Sequence, residues 1–167
     1  MPLDLFFDDV ASNPPRRVSG TAIYLAGKAG VVPIALLHNL KHNKVLHERV
    51  IFVTVVSHDQ PRLDEDERLE VQELRPGFYR VIGHYGFMEE PDVPRLMDKC
   101  KERGLELKLP QCSYFLSRET LIPRHGGGMA LWRDFLFTTM SKNATSAASF
   151  FKLPPNQVVE LGMQVEI

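Results

Sequence analysis

The spacing of hydrophobic positions changes period several times along the chain, and each change marks an element. The densest run, 50–56, is apolar and β-branched with only Thr54 intervening. A run with no polar side predicts a central strand covered on both faces. Just before it, Leu36, Leu37 and Leu40 make a helical stripe, with His38, Lys41 and His42 on the other side. Pro33 suits the first turn of that helix, and Asn43 is the expected left-handed residue at its end. Leu3, Phe6, Phe7 and Val10 predict an earlier amphipathic helix over 3–12, stopped by Asn13-Pro14-Pro15. A strand over 17–26 lies between the two helices.

Beyond an acidic, proline-containing loop at 59–66, the segments 69–74 and 78–85 flank Arg75-Pro76-Gly77. Proline followed by glycine is what a type II turn requires, so an antiparallel hairpin is expected. Asp92 is placed to cap a helix running to Arg103, with Val93, Leu96, Met97 and Cys100 inside and Gly104 as its stop. A strand follows over 113–121. Residues 130–140 form an apolar helix pattern, 147–151 a short helical piece, and the alternation of Val159, Leu161, Met163, Val165 and Ile167 a half-buried last strand. Interleaved strands and helices predict an α/β fold: a mixed, partly parallel sheet with helices on both faces and one inserted β-hairpin, in a single domain over 1–167.

Composition narrows the function classes. The 20 basic residues are balanced by 21 acidic ones, a net charge of −1, which lacks the basic field of a nucleic-acid binder. Two cysteines, Cys100 and Cys112, make neither a disulfide framework nor a metal knuckle. No stretch approaches the roughly 20 apolar residues of a membrane span, and the N-terminus lacks the features of a signal peptide. The chain is expected to be soluble by itself.

Candidate chemistry concentrates at the mouth of the central strand, where His38, Asn39, Lys41, His42 and Arg49 gather in sequence. His38 and His42 are four apart, but no HExxH motif or cysteine ligand accompanies them, so a capped helix end is the better reading than a zinc site. Arg124-His125-Gly126-Gly127-Gly128 precedes a helix pattern and offers backbone N–H groups to an anion, without the lysine-serine ending of a P-loop. Arg124, Gly126, Gly127 and Gly128 are therefore a second set of possible ligand or partner contacts. Ser57-His58-Asp59 are sequence neighbours, which is not how a catalytic triad is built. Cys100 lies on an apolar helix face as a packed thiol. No nucleophile, base and oxyanion site assemble, so the chain reads as no enzyme, with no cofactor and no metal.

Several strings taken together carry a family resemblance: Gly20-Thr21-Ala22-Ile23-Tyr24-Leu25, the long run from His38 through Asn39-Leu40-Lys41-His42 to His47-Glu48, Tyr85-Gly86-Phe87-Met88-Glu89, Tyr114-Phe115-Leu116 with Arg118-Glu119-Thr120, Met129-Ala130-Leu131-Trp132-Arg133 and Val158-Val159-Glu160-Leu161-Gly162. The chain closely resembles, nearly end to end, the C-terminal cytoplasmic domain of bacterial KUP-type potassium uptake proteins. The resemblance implies a domain at the cytoplasmic face of the cell membrane whose first partner is its own transmembrane transport domain. It also implies potassium:proton symport by the full protein, with this domain contributing assembly or regulation. The membrane part is absent, so no potassium-binding residue falls in this chain, and Met1 is expected to lie in a linker of a longer protein.

The resemblance also frames an alternative, a ligand-sensing module for a nucleotide or cyclic dinucleotide, since potassium importers as a class are sometimes controlled by cyclic di-AMP. A homodimer is expected because Leu131, Trp132, Phe135, Leu136, Phe137 and Met140 cover most of a helix circumference, while Phe6 and Phe7 are expected to lack full cover.

Overall fold

The computed structural model describes residues 1–122 and 146–166. Its element order is α1 (Leu3–Ser12), β1 (Arg16–Leu25), α2 (Ile34–Asn43), β2 (Val45–His58), β3 (Leu69–Arg75), β4 (Phe78–Gly86), α3 (Val93–Lys99), β5 (Cys112–Ile122), α4 (Ala147–Phe150) and β6 (Val158–Glu166). The strands form one sheet of six in the order β3-β4-β2-β1-β5-β6. All neighbours run parallel except β3, which turns back on β4 at the edge. The expected mixed α/β sheet, with its one hairpin, is therefore the observed architecture.

Strand alternation divides the interior into two layers. Ala22, Tyr24, Val50, Phe52, Phe78 and Phe115 face α1 and α2 together with Leu3, Phe6, Val32, Ala35 and Leu36. Ile23, Ile51, Val53, Val81 and Tyr114 face the other way, against Val93, Leu96, Met97 and Cys100 of the α3 segment and against Ala148 and Phe151. Residues 50–54 of β2 are all buried, because β2 has a strand on each side and a helical layer on each face. Both helical layers are needed for that.

Several local expectations shift by a few residues. β2 begins at Val45, five residues before the apolar run, because its polar start pairs with Arg16–Val18 of β1. The left-handed residue closing α2 is Lys44, with φ 56°, and Asn43 stays helical, its side chain donating to Asn39. Pro33 sits at the N-cap and the helix proper starts at Ile34. The helix after Asp92 keeps α geometry only to Lys99 and tightens to a 3₁₀ turn over Cys100–Arg103 before Gly104, φ 85°. Gly77, φ 82°, makes the hairpin turn as anticipated.

Phe6 is covered within the chain, contrary to expectation, while Phe7 is half-buried. Phe6 is 1 % exposed, and both rings pack edge-on against Phe78, at centroid distances of 6.0 and 5.1 Å. An aromatic residue opening β4 is what closes over α1. Residues 130–140 and Arg124, Gly126, Gly127 and Gly128 lie outside the described residues.

Candidate functional site

The α2–β2 junction places the sequence candidates, and it separates them. Asn39 is not available to a ligand: it is 3 % exposed. Its Nδ2 donates to Tyr24 Oη at 3.2 Å and to the Val45 carbonyl at 3.1 Å, and its Oδ1 accepts from Asn43 at 2.8 Å. It ties the end of α2 to the start of β2 and to β1 beneath. Tyr24, fully buried and stacked on Phe115 at 4.7 Å, has its hydroxyl pKa driven up by that burial. His38 and His42 stack on each other at 5.8 Å on the outer side of α2, beside exposed Lys41.

Arg49 lies on the opposite face of the sheet from α2. Residues 50 and 52 of β2 point to α1 and α2, so alternation sends 49 to the α3 side. There its Nη1 donates to the Glu106 carbonyl at 2.8 Å. Arg49 helps line a groove of about 950 Å³ at the amino ends of β1, β2 and β4, together with Thr21, Glu48, Tyr79 and Lys108. Glycine shapes this groove twice. The β1–β2 register gains a residue between Val18 and Thr21, a bulge that Gly20 makes possible at φ 107°. At Gly77 a Cβ would stand 2.7 Å from the Glu48 carbonyl oxygen.

The groove carries both signs of charge, and its thiol neighbour is not reactive. Cys112 is buried and bonded to the Lys108 carbonyl, and burial raises its pKa despite the opposing pull of Arg49. Cys100 is wholly buried, with its pKa pushed up to about 12. Among the described residues, no group of three or more His, Cys, Asp and Glu side chains is arranged to hold a metal ion. The concavity suits a polar ligand or a partner loop, with Arg49 and Lys108 as its cations.

Sequence reading set His58 aside with its neighbours Ser57 and Asp59, and passed over His84. His58 ends β2 and His84 lies in β4, and the parallel register sets Val56 opposite His84 and His58 opposite Gly86. The ring nitrogens His58 Nε2 and His84 Nδ1 are 2.8 Å apart. The two are 26 residues apart in the chain, and only knowledge of the β2–β4 register would have joined them.

The fold defines an α/β domain of the doubly wound class: a parallel sheet whose order reverses at β1, with helices on both faces. Comparison with known proteins refines that class. The family profile described as "K+ potassium transporter C-terminal domain" matches residues 19–167. Over its full length the chain is 52% identical to a protein named "Probable potassium transport system protein Kup" from Myxococcus xanthus, covering 26% of that protein. It is likewise 52% identical to "Probable potassium transport system protein Kup 2" from Chromobacterium violaceum, of which it covers 27%. A Pseudomonas aeruginosa protein with the first of these names is 50% identical, with 26% covered. No solved structure matches.

The chain belongs to the K+ potassium transporter C-terminal domain family. It spans about a quarter of the length of the curated relatives it matches. Among the described residues no helix is long and apolar enough to cross a membrane.

Proposed function

We propose that this chain works as the cytoplasmic domain of a KUP-like potassium uptake transporter, contributing to assembly or regulation of a potassium:proton symporter. The observation that carries this reading is end-to-end similarity, at 52% identity, to proteins named for potassium transport. The groove at the amino ends of the strands and the exposed face of α2 are the surfaces such a domain would offer. In that reading its first partner is the transmembrane part of the same protein, and identical domains pair with each other.

The test compares a transporter ending in this domain with the same protein truncated before it, in cells lacking other potassium uptake. The full protein restores growth at low potassium. The truncated protein reaches the membrane but supports less rubidium uptake, or loses its response to potassium supply. Equal uptake and an equal response, at equal membrane abundance, would sink the regulatory and assembly reading.

One observation favours a second reading, a nucleotide-sensing module. In doubly wound sheets ligands settle outside the carboxyl ends of the strands where the order reverses. Here that position lies between β1 and β5, beside the loop 26–32 with Gly27, Lys28 and Gly30. Calorimetry with a panel of nucleotides and cyclic dinucleotides decides it: no heat with any of them at millimolar concentration removes the reading.

A further inference from the structure

Three adjacent strands each contribute one ionisable side chain to a row across the carboxyl-end half of the sheet. Glu70 comes from β3, His84 from β4 and His58 from β2. Glu70 pairs with Ile82 and His84 with Val56 in the ladders, so all three side chains stand on one face of the sheet. Glu70 Oε1 lies 2.9 Å from His84 Nε2, and His84 Nδ1 lies 2.8 Å from His58 Nε2. The rings are 5.0 Å apart, tilted by 49°. The His84 side chain is 16 % exposed. The row borders an open cleft of about 450 Å³ whose other charged groups are Asp59 and Glu67, both from the connection between β2 and β3. No side chain of α1, α2 or α3 lines it.

Hydrogen counting fixes what such a row can do. Glu70 as a carboxylate only accepts, so His84 Nε2 carries a hydrogen. His84 Nδ1 is then a lone pair, and the neutral pair closes with His58 Nε2–H donating to it. One added proton can be taken without breaking any contact. It lands on His58 Nδ1 while the Nε2 hydrogen passes to His84 Nδ1, leaving an imidazolium between Glu70 and His58. In that state the His84 imidazolium bonds the Glu70 carboxylate through Nε2 and His58 through Nδ1. A second proton cannot be added in place. Both facing nitrogens would then carry hydrogens, and two adjacent cations would repel across a 2.8 Å separation.

We propose that Glu70, His84 and His58 form a single-proton site that latches the end of β2 to the hairpin, and that a second proton opens it. The latch bears directly on the chain beyond His58. The Gln60 and Pro61 carbonyls accept from the Phe87 and Met88 N–H groups at 3.0 and 3.2 Å. Opening at His58 frees the start of that connection and loosens those two bonds. The row is thereby a proton-responsive element at the sheet's carboxyl edge, distinct from the groove that holds Arg49.

Ring NMR of the whole chain, followed from pH 8 to pH 5, tests the proposal. Because coupled groups titrate as a pair, His58 and His84 share two inflections in the wild type. In His58→Gln the glutamine keeps a bond to His84 but does not titrate, and His84 shows a single inflection. In Glu70→Gln the titration of the pair changes, because the partner of His84 Nε2 no longer carries a charge. Amide exchange gives an independent reading. Corrected for intrinsic rates, Phe87 and Met88 lose protection at pH 5 in the wild type and keep it in His58→Gln. Single, independent titrations of the two rings, with the His84 curve unchanged by His58→Gln, would overturn the coupled site. Protection at Phe87 and Met88 that does not vary with pH in the wild type would overturn the latch.

Discussion

Two polar side chains secure the places where the chain changes direction. Asn39, itself buried, makes three hydrogen bonds: it donates to Tyr24 Oη and the Val45 carbonyl and accepts from the Asn43 amide. Asn39→Ala leaves buried partners unpaired and should destabilise the domain by about 1–3 kcal/mol, read as a lower urea midpoint with an unchanged m-value. Glu89 performs the same task after β4. Its Oε2 accepts from the Gly86 and Leu63 N–H groups at 2.7 and 3.3 Å, and its Oε1 accepts from Arg68 Nη2 at 2.7 Å. Gly86 is required there because a Cβ would lie 2.3 Å from the Pro61 carbonyl oxygen.

The Gly86 N–H, seconded by Arg68, holds the Glu89 carboxyl below its ordinary value of 4.5. A folded-state pKa below the unfolded one gives stability that is fully present above the unfolded value and is lost as pH falls through the folded one. The deficit of Glu89→Gln in urea unfolding is therefore expected to be full at pH 7 and to shrink below about pH 4.5. A deficit that stays constant down to pH 3 would contradict this account.

Among the elements, the α2 end shows how a helix stop can carry strain. Lys44 occupies the left-handed conformation, φ 56°, and its N–H bonds the Leu40 carbonyl at 3.1 Å. A non-glycine residue pays sterically there, and the Lys44 side chain is exposed. Lys44→Gly should raise stability by roughly 0.5–1 kcal/mol, the relief of strain being partly offset by a more flexible unfolded chain. Thermal denaturation of the two proteins measures it. β6 shows the opposite limit, the cost of an edge position. Val158 and Leu161 pack on the two core layers while Val159, at the strand's start, stays 39 % exposed.

For the whole molecule, the proposed self-association now rests on less than the sequence offered. Phe6 no longer supports it, being buried, and Phe7 is half-covered by Phe78. What remains is the apolar pattern of Leu131, Trp132, Phe135, Leu136, Phe137 and Met140. Multi-angle light scattering over a dilution series is expected to give twice the 19.0 kDa chain mass at the high end. A mass that remains that of one chain at every concentration would remove dimerisation of the domain by itself.

The sequence alone determined the elements and their sides. The apolar run at 50–56, the stripe of Leu36 and Leu40, the Pro76-Gly77 turn and the Asp92 cap are all short-range signals, and period and turn chemistry act locally. It also carried the family resemblance, because strings such as His38 to Glu48 are read without knowing what they touch. Tertiary structure decided which residues meet. Strand order and register put Arg49 across the sheet from His38 and His42, made Asn39 a buried clamp, and joined Glu70, His84 and His58 from three strands. Those pairings follow from long-range ladders whose register no local period encodes, since a slip of one residue would turn every side chain to the other face.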